Sequence, residues 1–415
     1  MKKNYTIVGL IFLIFFVISF ITNILNSILP NIKDSFDLSL GLAGFLPFSF
    51  FVAYGIMSIP AGVLIERYGE KKVIIGSFLI SLFGAFLFAS FPSFQIALLS
   101  LFLIGIGMAM LQVAINPLLR TTGGESNFAF FSVMAQLVFG AASAISPLVY
   151  SYLVENLNGY AGGGGFLLDT LSKLAPADMS WVSLYWIFAV IMMVILVVIS
   201  LIKFGKVELA QDEKAGTFQS YLELLKNPYV ILFFLGIFTY VGTEQGVGVW
   251  ISEFLKQYHN YNPEVEGAQT VSNFWLFLTI GCILGLILLK LFDSRKILIA
   301  FTLAAMLALA VALFGTGEMA LIAFPIVGFC TSVMYSIIFS LALNSVPKNH
   351  GSFSGILCTG IVGGAVVPSI IGALGDVIGL RLAMTFMFLT LGFILSIGFW
   401  SKPLITNSTF KLKKD

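Results

Sequence analysis

The chain has 415 residues, of which 59% are hydrophobic and 10% are charged, and its mean hydropathy is +1.01. A composition with so few polar residues cannot cover the surface of a water-soluble globule of this size, so we predict an integral membrane protein surrounded by a lipid bilayer. The net charge of +2 arises from basic residues scattered over short loops, without a basic patch, and we expect no nucleic-acid partner.

Apolar stretches of about 20 residues, the length that crosses a bilayer as a helix, recur along the sequence. The first follows Met1 and two lysines. We predict it as a transmembrane span rather than a signal peptide, because it has no small-residue cleavage site and contains Asn23 and Asn26. The sequence predicts twelve spans, at residues 7–32, 41–65, 73–91, 94–119, 127–154, 181–203, 229–256, 268–291, 297–314, 319–345, 352–375 and 380–400.

The longest polar connection, Phe204–Asn227, leaves six predicted spans on each side. We therefore predict an N-terminal six-helix bundle over 1–203, a central loop over 204–227 and a C-terminal six-helix bundle over 228–415. Two such halves are the architecture of transporters that bind substrate near the bilayer midplane. A second polar stretch, Asn156–Ser180, contains four consecutive glycines and is predicted to be a flexible external loop.

Basic residues fall mainly on one side of the predicted membrane. With a cytoplasmic N-terminus, 18 of the 22 lysines and arginines lie on the cytoplasmic side, in agreement with the positive-inside rule. The exceptions are Lys33, Lys173, Lys256 and Arg381. We predict a multi-pass protein with both termini in the cytoplasm, and a composition rich in Phe, Ile, Lys and Asn favours a bacterial inner membrane.

The residues that metal sites and hydrolytic catalysis require are scarce in this sequence. Cys282, Cys330 and Cys358 lie in predicted spans without CxxC spacing, and the two histidines lie in predicted loops. Neither a metal site nor a nucleophile–base pair can be assembled from them. We expect no metal, no cofactor and no enzymatic activity.

Glu244 is the one carboxylate in the middle of a membrane-length apolar stretch, Phe233–Phe254. A charge at that depth is costly and normally faces a cavity on a substrate or ion pathway. Because burial disfavours the ionised form of a carboxyl group, Glu244 is our candidate for a proton-coupling residue. It could instead supply an oxygen ligand to Na⁺, or stay ionised and bind substrate hydroxyls.

A charged motif lies between spans two and three, in the sequence Gly62-Val-Leu-Ile-Glu66-Arg67-Tyr-Gly69-Glu70-Lys71-Lys72. It resembles the cytoplasmic signature of the major facilitator superfamily, G-x-x-x-D-R-x-G-R-K-K, with glutamates where that signature has Asp and its second Arg. A shorter echo around Asp293 follows span eight, at the matching place in the second half. Charged groups at such helix ends can latch one conformation. The predicted latch residues are Gly62, Glu66, Arg67, Gly69, Lys71, Lys72, Asp293 and Arg295.

Within that superfamily, several stretches are similar to the fucose/glucose-galactose permease family. Span one reads Phe20-Ile-Thr-Asn23-Ile-Leu-Asn26-Ser-Ile-Leu-Pro30, close to the family's F-I-T-x-x-N-D-I-L-x-P. Further matches occur in both halves: Leu111-Gln112-Val-Ala-Ile-Asn116-Pro117, Ala135-Gln136, Tyr240-Val-Gly-Thr-Glu244, Phe339-Ser-Leu-Ala and Gly363-Gly-Ala-Val-Val-Pro368. The resemblance covers nearly the whole chain. It implies the major facilitator fold, an all-α integral membrane protein with twelve transmembrane helices in two six-helix bundles.

The chain departs from the family at the positions of its usual proton carriers. The family has Asp where Asn26 stands, and its proton-coupled fucose-type members have Glu where Gln112 stands. Amides cannot titrate, which leaves the energy coupling open. Gln112 is typical of the glucose/galactose-like branch and favours a hexose over fucose. Phe139 and Cys282 replace a family Asn and Arg, and the first change removes one expected sugar contact.

Polar residues within the spans predict a single binding cavity. Pairs spaced four apart lie on one face of spans one, four and seven, and such faces point toward protein or water rather than lipid. Interhelical hydrogen bonding would explain any one amide, but the whole set is better explained by a shared cavity. Amides and a carboxylate suit sugar hydroxyls, and Trp250, Trp275 or Tyr335 could stack on a pyranose face. The predicted substrate-binding residues are Asn23, Asn26, Gln112, Asn116, Gln136, Glu244, Gln245, Trp250, Asn273 and Tyr335.

The sequence thus predicts a permease that imports a small neutral sugar, a hexose such as glucose or galactose, by alternating access with a coupled cation, preferably a proton. Facilitated uniport, Na⁺-coupled symport and export of amphipathic compounds remain alternatives, and the last would require a more apolar cavity. A sensor that binds sugar without moving it is disfavoured, because the short termini and loops offer no signalling domain. We expect the protein to act as a monomer.

Overall fold

The structure, a computed structural model, describes residues 5–123, 128–202, 218–346 and 350–403. It is 88% helical, and no strand occurs in these ranges. Twelve helical segments of the described chain are long and apolar enough to cross a membrane: Tyr5–Ser35, Leu40–Ile65, Glu70–Ser90, Phe94–Ile115, Met134–Leu157, Ser180–Leu201, Pro228–His259, Pro263–Leu291, Ser294–Phe314, Gly317–Leu343, Ser352–Ile378 and Leu380–Trp400. The predicted all-α, multi-pass fold class is confirmed.

Several spans consist of more than one helix. In chain order the α-helices are α1 (Tyr5–Asn23), α2 (Leu25–Ser35), α3 (Leu40–Tyr68), α4 (Glu70–Ser90), α5 (Phe94–Gly123), α6 (Phe128–Leu157), α7 (Phe166–Leu174), α8 (Ser183–Leu201), α9 (Phe218–Leu225), α10 (Pro228–His259), α11 (Ala268–Leu291), α12 (Ser294–Phe314), α13 (Gly317–Thr331), α14 (Met334–Leu343), α15 (His350–Thr359), α16 (Gly363–Ile378), α17 (Leu380–Met384) and α18 (Phe386–Trp400). Short 3₁₀ turns at Ser180–Val182 and Gly360–Val362 precede α8 and α16, and one π turn at Pro263–Gly267 precedes α11.

Helix α10, which carries Glu244, has clear start and stop signals. Asn227 accepts a hydrogen bond from the Tyr229 amide (3.0 Å) and Pro228 occupies the first turn, where its missing N–H has no intrahelical partner to lose. The helix ends at His259 and is followed by Asn260, whose left-handed backbone (φ 56°) is a common C-terminal stop. Between these ends α10 runs unbroken for 32 residues.

Span one is broken at Ile24, between α1 and α2. Pro30 lies inside α2, and a proline there cannot donate a backbone hydrogen bond to the carbonyl four residues earlier, that of Asn26. Ile24 itself keeps helical dihedral angles (φ −62°, ψ −32°), so the backbone stays helical across the interruption.

The predicted external loop between spans five and six is more ordered than its glycines suggested. It contains the short helix α7, and Tyr160 donates a hydrogen bond to Asp169 of that helix over 2.7 Å. Gly162, Gly163 and Gly165 have φ values of 101°, 92° and 88°, a region that favours glycine. The glycines therefore shape the entry to α7 rather than forming a plain linker.

Close helix packing depends on glycine at Gly363, where α16 meets α10. A Cβ atom added there would overlap the Phe238 carbonyl oxygen, so the two backbones approach within a distance that glycine alone allows. Small residues are used in this way at helix interfaces within membranes.

We expect Gly363→Ala to lower the stability of the folded protein by about 1–3 kcal/mol, because the added methyl group must push backbone rather than a flexible side chain. Thermal unfolding in detergent measures the effect. Gly392→Ala is the matched control, since a Cβ at Gly392 meets nothing within 4 Å. If both variants unfold at the temperature of the unaltered protein, this account of the α10–α16 contact is wrong.

On one face of the molecule, ion pairs join the first half of the chain to the second. Lys33 at the end of α2 lies 3.1 Å from Glu253 of α10, and Glu253 is 1% exposed. Asp34 pairs with Lys256, also on α10. Gln257 Nε2 donates to Glu253 over 2.6 Å and supports the carboxylate from its own helix.

Hydrogen bonds extend these contacts across the same face. Asn31 donates to Glu264 over 2.7 Å, and the backbone amides of Leu40 and Gly41 at the start of α3 each donate to Asp376 over 2.8 Å. A carboxylate at a helix N-terminus interacts favourably with the helix dipole. We call the ion pairs of α2 with α10 and these hydrogen bonds the closed-face contacts.

Candidate functional site

A cavity of about 420 Å³ lies between the two halves of the chain. Its volume is in the range typical of small-molecule sites. The wall is formed by α1, α3, α5 and α6 from the first half and by α10, α11 and α14 from the second. Toward the face opposite the closed-face contacts, it continues past Phe15 in the middle of α1 and Leu289 near the end of α11. Its polar lining residues are Thr22, Asn23, Tyr54, Gln112, Gln136, Tyr240, Glu244, Gln245, Trp275, Thr279, Cys282, Ser332, Tyr335 and Ser336.

The structure brings six of the ten predicted binding residues to this wall. They come from five different spans, as expected if the polar faces of spans one, four, five and seven converge: Asn23, Gln112, Gln136, Glu244, Gln245 and Tyr335. The side chain of Asn116 lies outside the described part of the structure. Their role in binding stays a prediction.

Three predicted residues lie away from the wall. Trp250 is fully buried and donates to the Pro368 carbonyl over 3.2 Å, so it packs α10 against α16. Asn26 is buried beside Gly248, where an added Cβ would lie 2.6 Å from its amide nitrogen. Asn273 is half-buried and accepts a hydrogen bond from Gln269 over 3.1 Å on the same helix.

Glu244 faces the cavity without a cationic neighbour in the wall. The Tyr240 hydroxyl donates a hydrogen bond to Glu244 Oε1 over 3.2 Å. Neither lysine nor arginine occurs among the cavity-lining residues, all of which belong to the described chain. A lone carboxylate in such a setting is stabilised when a proton or a cation binds it, because uncompensated burial of charge is costly.

Residues of the first half of the protein hold the Asn23 side chain in place. Its Nδ2 donates to Ser143 over 2.8 Å and to Ser19 over 3.4 Å, and the two serine hydroxyls lie 2.6 Å apart. These bonds to α1 and α6 fix the amide plane, so its Oδ1 keeps a fixed direction. A preorganised amide of this kind binds a ligand without having to be ordered first.

Aromatic rings flank the polar groups on both sides of the cavity. Tyr240 and Tyr335 have ring centroids 5.8 Å apart, and Tyr335 stacks on Phe339 at 5.7 Å. From the first half, Phe51 and Tyr54 lie 6.0 Å apart. Such rings offer flat apolar surfaces next to hydrogen-bonding groups, which suits a ligand with polar edges and an apolar face.

Sequence reasoning missed Tyr54, Thr279 and Cys282 as lining residues. Tyr54 and Thr279 lie in hydrophobic spans with no recognisable motif around them, and Cys282 was noted only as the replacement of a family Arg, so the positions of all three in the wall are decided by how α3 and α11 pack. A helical-face argument could not have found them without the neighbouring helices.

Apart from Gly62, the predicted latch residues lie at or next to helix ends. Gly69 joins α3 to α4 with φ 83°, and Lys71 Nζ donates to the carbonyls of Ser200 (2.9 Å) and Ile202 (2.6 Å), which ties this junction to the end of span six. Gly62 lies within α3, and Lys72 is exposed.

The other latch residues also make local contacts. The Arg67 guanidinium lies 5.3 Å from the Tyr68 ring, and the Glu66 side chain is outside the described structure. Asp293 caps α12 by accepting from the Arg295 amide over 2.8 Å. Burial opposes ionisation of Asp293, but hydrogen bonds from Arg295 and its positive charge hold the pKa of this carboxyl below its ordinary value. A latching role for these residues stays a prediction.

Comparison with known proteins identifies the superfamily. The family model of the Major Facilitator Superfamily matches residues 11–367, most of the chain. The chain belongs to the major facilitator superfamily.

The most informative relatives lie within this superfamily. A glucose/galactose transporter of Brucella abortus (strain 9-941) is 29% identical over 393 residues, covering 92% of this chain and 91% of the relative. The L-fucose-proton symporter of Escherichia coli K12 is 26% identical over 396 residues, covering 91% of this chain and 89% of the symporter. The crystal structure of a single-residue variant of the E. coli fucose:proton symporter FucP has a TM-score of 0.67 at 25% identity, covering 95% of this chain and 98% of that chain. The predicted resemblance to the fucose/glucose-galactose permeases is confirmed.

Proposed function

We propose that this protein imports a neutral hexose, such as glucose or galactose, across a bacterial inner membrane. The observation that carries the proposal is the cavity between the halves, in which amides from both halves, one carboxylate and flanking aromatic rings meet. This set of groups can donate to and accept from hydroxyls while packing a pyranose face. The names of the relatives, a glucose/galactose transporter and a fucose-proton symporter, support the same substrate class.

Transport proceeds by alternating access of this cavity. With both termini in the cytoplasm, the closed-face contacts lie on the external side and the cavity extends toward the cytoplasm. The bundles over 1–203 and 228–415 rock about the site, and the 204–227 loop links them. The protein acts as a monomer, because each chain contains a complete site.

Glu244 is the coupling group in this proposal. Asn26 and Gln112 are amides that cannot carry a proton, whereas Glu244 lies in the cavity wall without a cation beside it. In symport, a proton binds Glu244 from the external side together with the sugar, and both are released to the cytoplasm. Na⁺ coupling or uniport would use the same cavity with a different role for this carboxylate.

Counterflow in proteoliposomes tests the substrate class. Vesicles are preloaded with one unlabelled sugar, glucose, galactose, mannose, fucose or N-acetylglucosamine, and uptake of the same labelled sugar is followed without an ion gradient. We expect transient accumulation of glucose or galactose, because counterflow requires only binding and alternation. If no sugar accumulates and hydrophobic cations are transported instead, the protein is an exporter of amphipathic compounds and the proposal fails.

A further inference from the structure

Four polar atoms in the cavity wall are buried and lack a hydrogen-bond partner. One is Thr22 Oγ1, a hydroxyl that can rotate toward a carbonyl of its own helix. The other three are Trp275 Nε1, Gln245 Oε1 and Asn23 Oδ1, on side chains that are 2%, 4% and 1% exposed. All three residues line the central cavity, with Asn23 in the first half and the other two in the second. The side chains that carry the unpartnered atoms therefore border one shared space from both halves of the protein.

Such atoms call for an explanation, because a buried polar group without a partner is destabilising. Their neighbours are rigid. Asn23 is held through its nitrogen by Ser19 and Ser143, and the Trp275 ring packs edge-on against Phe274 at 5.2 Å. The Asn23 Oδ1 therefore stays without a partner while the nitrogen of the same amide remains bonded.

The chemistry of the three atoms is selective. Trp275 Nε1–H is a donor, whereas Gln245 Oε1 and Asn23 Oδ1 are acceptors. A hydroxyl group both donates and accepts, so neighbouring hydroxyls on one ligand can satisfy all three. A quaternary ammonium group has no acceptor for the indole, and a carboxylate has no proton for the two amide oxygens.

We propose that Trp275 Nε1–H donates a hydrogen bond to a substrate hydroxyl, and that Gln245 Oε1 and Asn23 Oδ1 accept from substrate hydroxyls at the same edge of the sugar. These three atoms make transport depend on particular hydroxyl groups and exclude ligands that lack them. This inference rests on the proposed sugar transport and adds the residues that set its specificity.

The test compares Trp275→Phe with Trp186→Phe in counterflow of D-glucose and D-galactose. Phenylalanine removes the indole N–H and keeps an aromatic ring. Trp186 is the matched control, because its Nε1 is also buried and unpartnered but it packs against Phe86 outside the cavity. We expect Trp275→Phe to raise the half-saturating sugar concentration roughly tenfold to a hundredfold, and Trp186→Phe to leave it within about twofold.

A series of monodeoxy sugars separates binding from general disruption. One deoxy sugar will lack the hydroxyl that accepts from Trp275. We expect the Trp275→Phe variant and the unaltered protein to transport this sugar about equally, because neither can form that hydrogen bond with it. With the other deoxy sugars, the half-saturating concentrations of the variant and the unaltered protein should differ as much as they do with the parent sugar. If Trp275 had only a structural role, the substitution would raise the half-saturating concentration of every sugar by the same factor.

The outcomes distinguish this inference from the proposed function. If the unaltered protein transports glucose or galactose and Trp275→Phe changes the half-saturating concentration less than about fivefold, or weakens all deoxy sugars equally, the assignment is overturned. If the unaltered protein transports neither sugar, the proposed function fails and the assignment fails with it. Should Trp275→Phe not fold, Gln245→Met removes one acceptor at similar volume and must show the same selectivity for one deoxy sugar.

Discussion

Glu244→Gln will abolish accumulation of sugar against its gradient while counterflow continues. The substitution keeps the size of the side chain and an oxygen acceptor for the Tyr240 hydroxyl, but it removes the group that can bind a proton. Binding and alternation need no titration, so exchange of sugar across the membrane persists. With an imposed proton gradient, we expect the ratio of internal to external sugar to fall to about 1, the value for uncoupled transport.

Glu318→Gln is the matched control for this experiment. Glu318 is an exposed carboxylate in the first turn of α13, away from the cavity, so its loss should leave accumulation unchanged. Full gradient-driven accumulation by Glu244→Gln would show that the proton is carried elsewhere. Loss of counterflow together with accumulation would show that Glu244 binds sugar and is not a separate coupling group.

The second large effect is expected at the closed-face contacts. Glu253→Gln removes the carboxylate that pairs with Lys33, and it leaves the lysine, whose side chain is 18% exposed, with Asp34 as its remaining acidic partner at 3.4 Å. Breaking a buried ion pair costs about 3–5 kcal/mol, and the partial exposure of Lys33 reduces this to about 1–3 kcal/mol. Because the pair joins the two halves on the closed face, this cost falls on that conformation, and we expect a shift of roughly tenfold or more toward the state in which the face is open.

Distances between spin labels at Asp178 and Val377 measure this shift. Both residues are exposed on the same side of the molecule, one in each half. We expect the fraction of molecules with a long distance between the two labels to be larger in the Glu253→Gln variant than in the unaltered protein. Glu266→Gln is the control, because Glu266 accepts from the Asn262 amide within its own half, over 3.0 Å. A distance distribution that is the same in both variants would contradict the gating role of the Lys33–Glu253 pair.

The sequence predicted the spans well because membrane-length apolar runs constrain where helices can form. It also predicted the cavity position of Glu244, since a lone carboxylate at that depth has few other places to point. These predictions depend on length, hydropathy and the cost of burying charge, all of which are local properties of the chain.

Predictions that depended on side-chain direction were less successful. Trp250 follows Glu244 by six residues, which on an α-helix is a rotation of about 240°, so it faces α16 rather than the cavity. Asn26 lies beside Gly248 rather than in the cavity wall, although it is only three residues from Asn23. The lining roles of Tyr54 and Thr279 come from the packing of neighbouring helices, which the sequence does not reveal.

The central claim, proton-coupled hexose import, is tested most directly by recording sugar entry and proton movement together. Labelled glucose or galactose is added to proteoliposomes in weakly buffered medium, and external pH is followed with uptake. We predict that sugar entry is accompanied by alkalinisation of the medium, and that Glu244→Gln removes the alkalinisation while sugar still equilibrates. Sugar entry without any change of external pH in the unaltered protein would contradict proton coupling, and the absence of sugar entry would contradict the transport of hexoses itself.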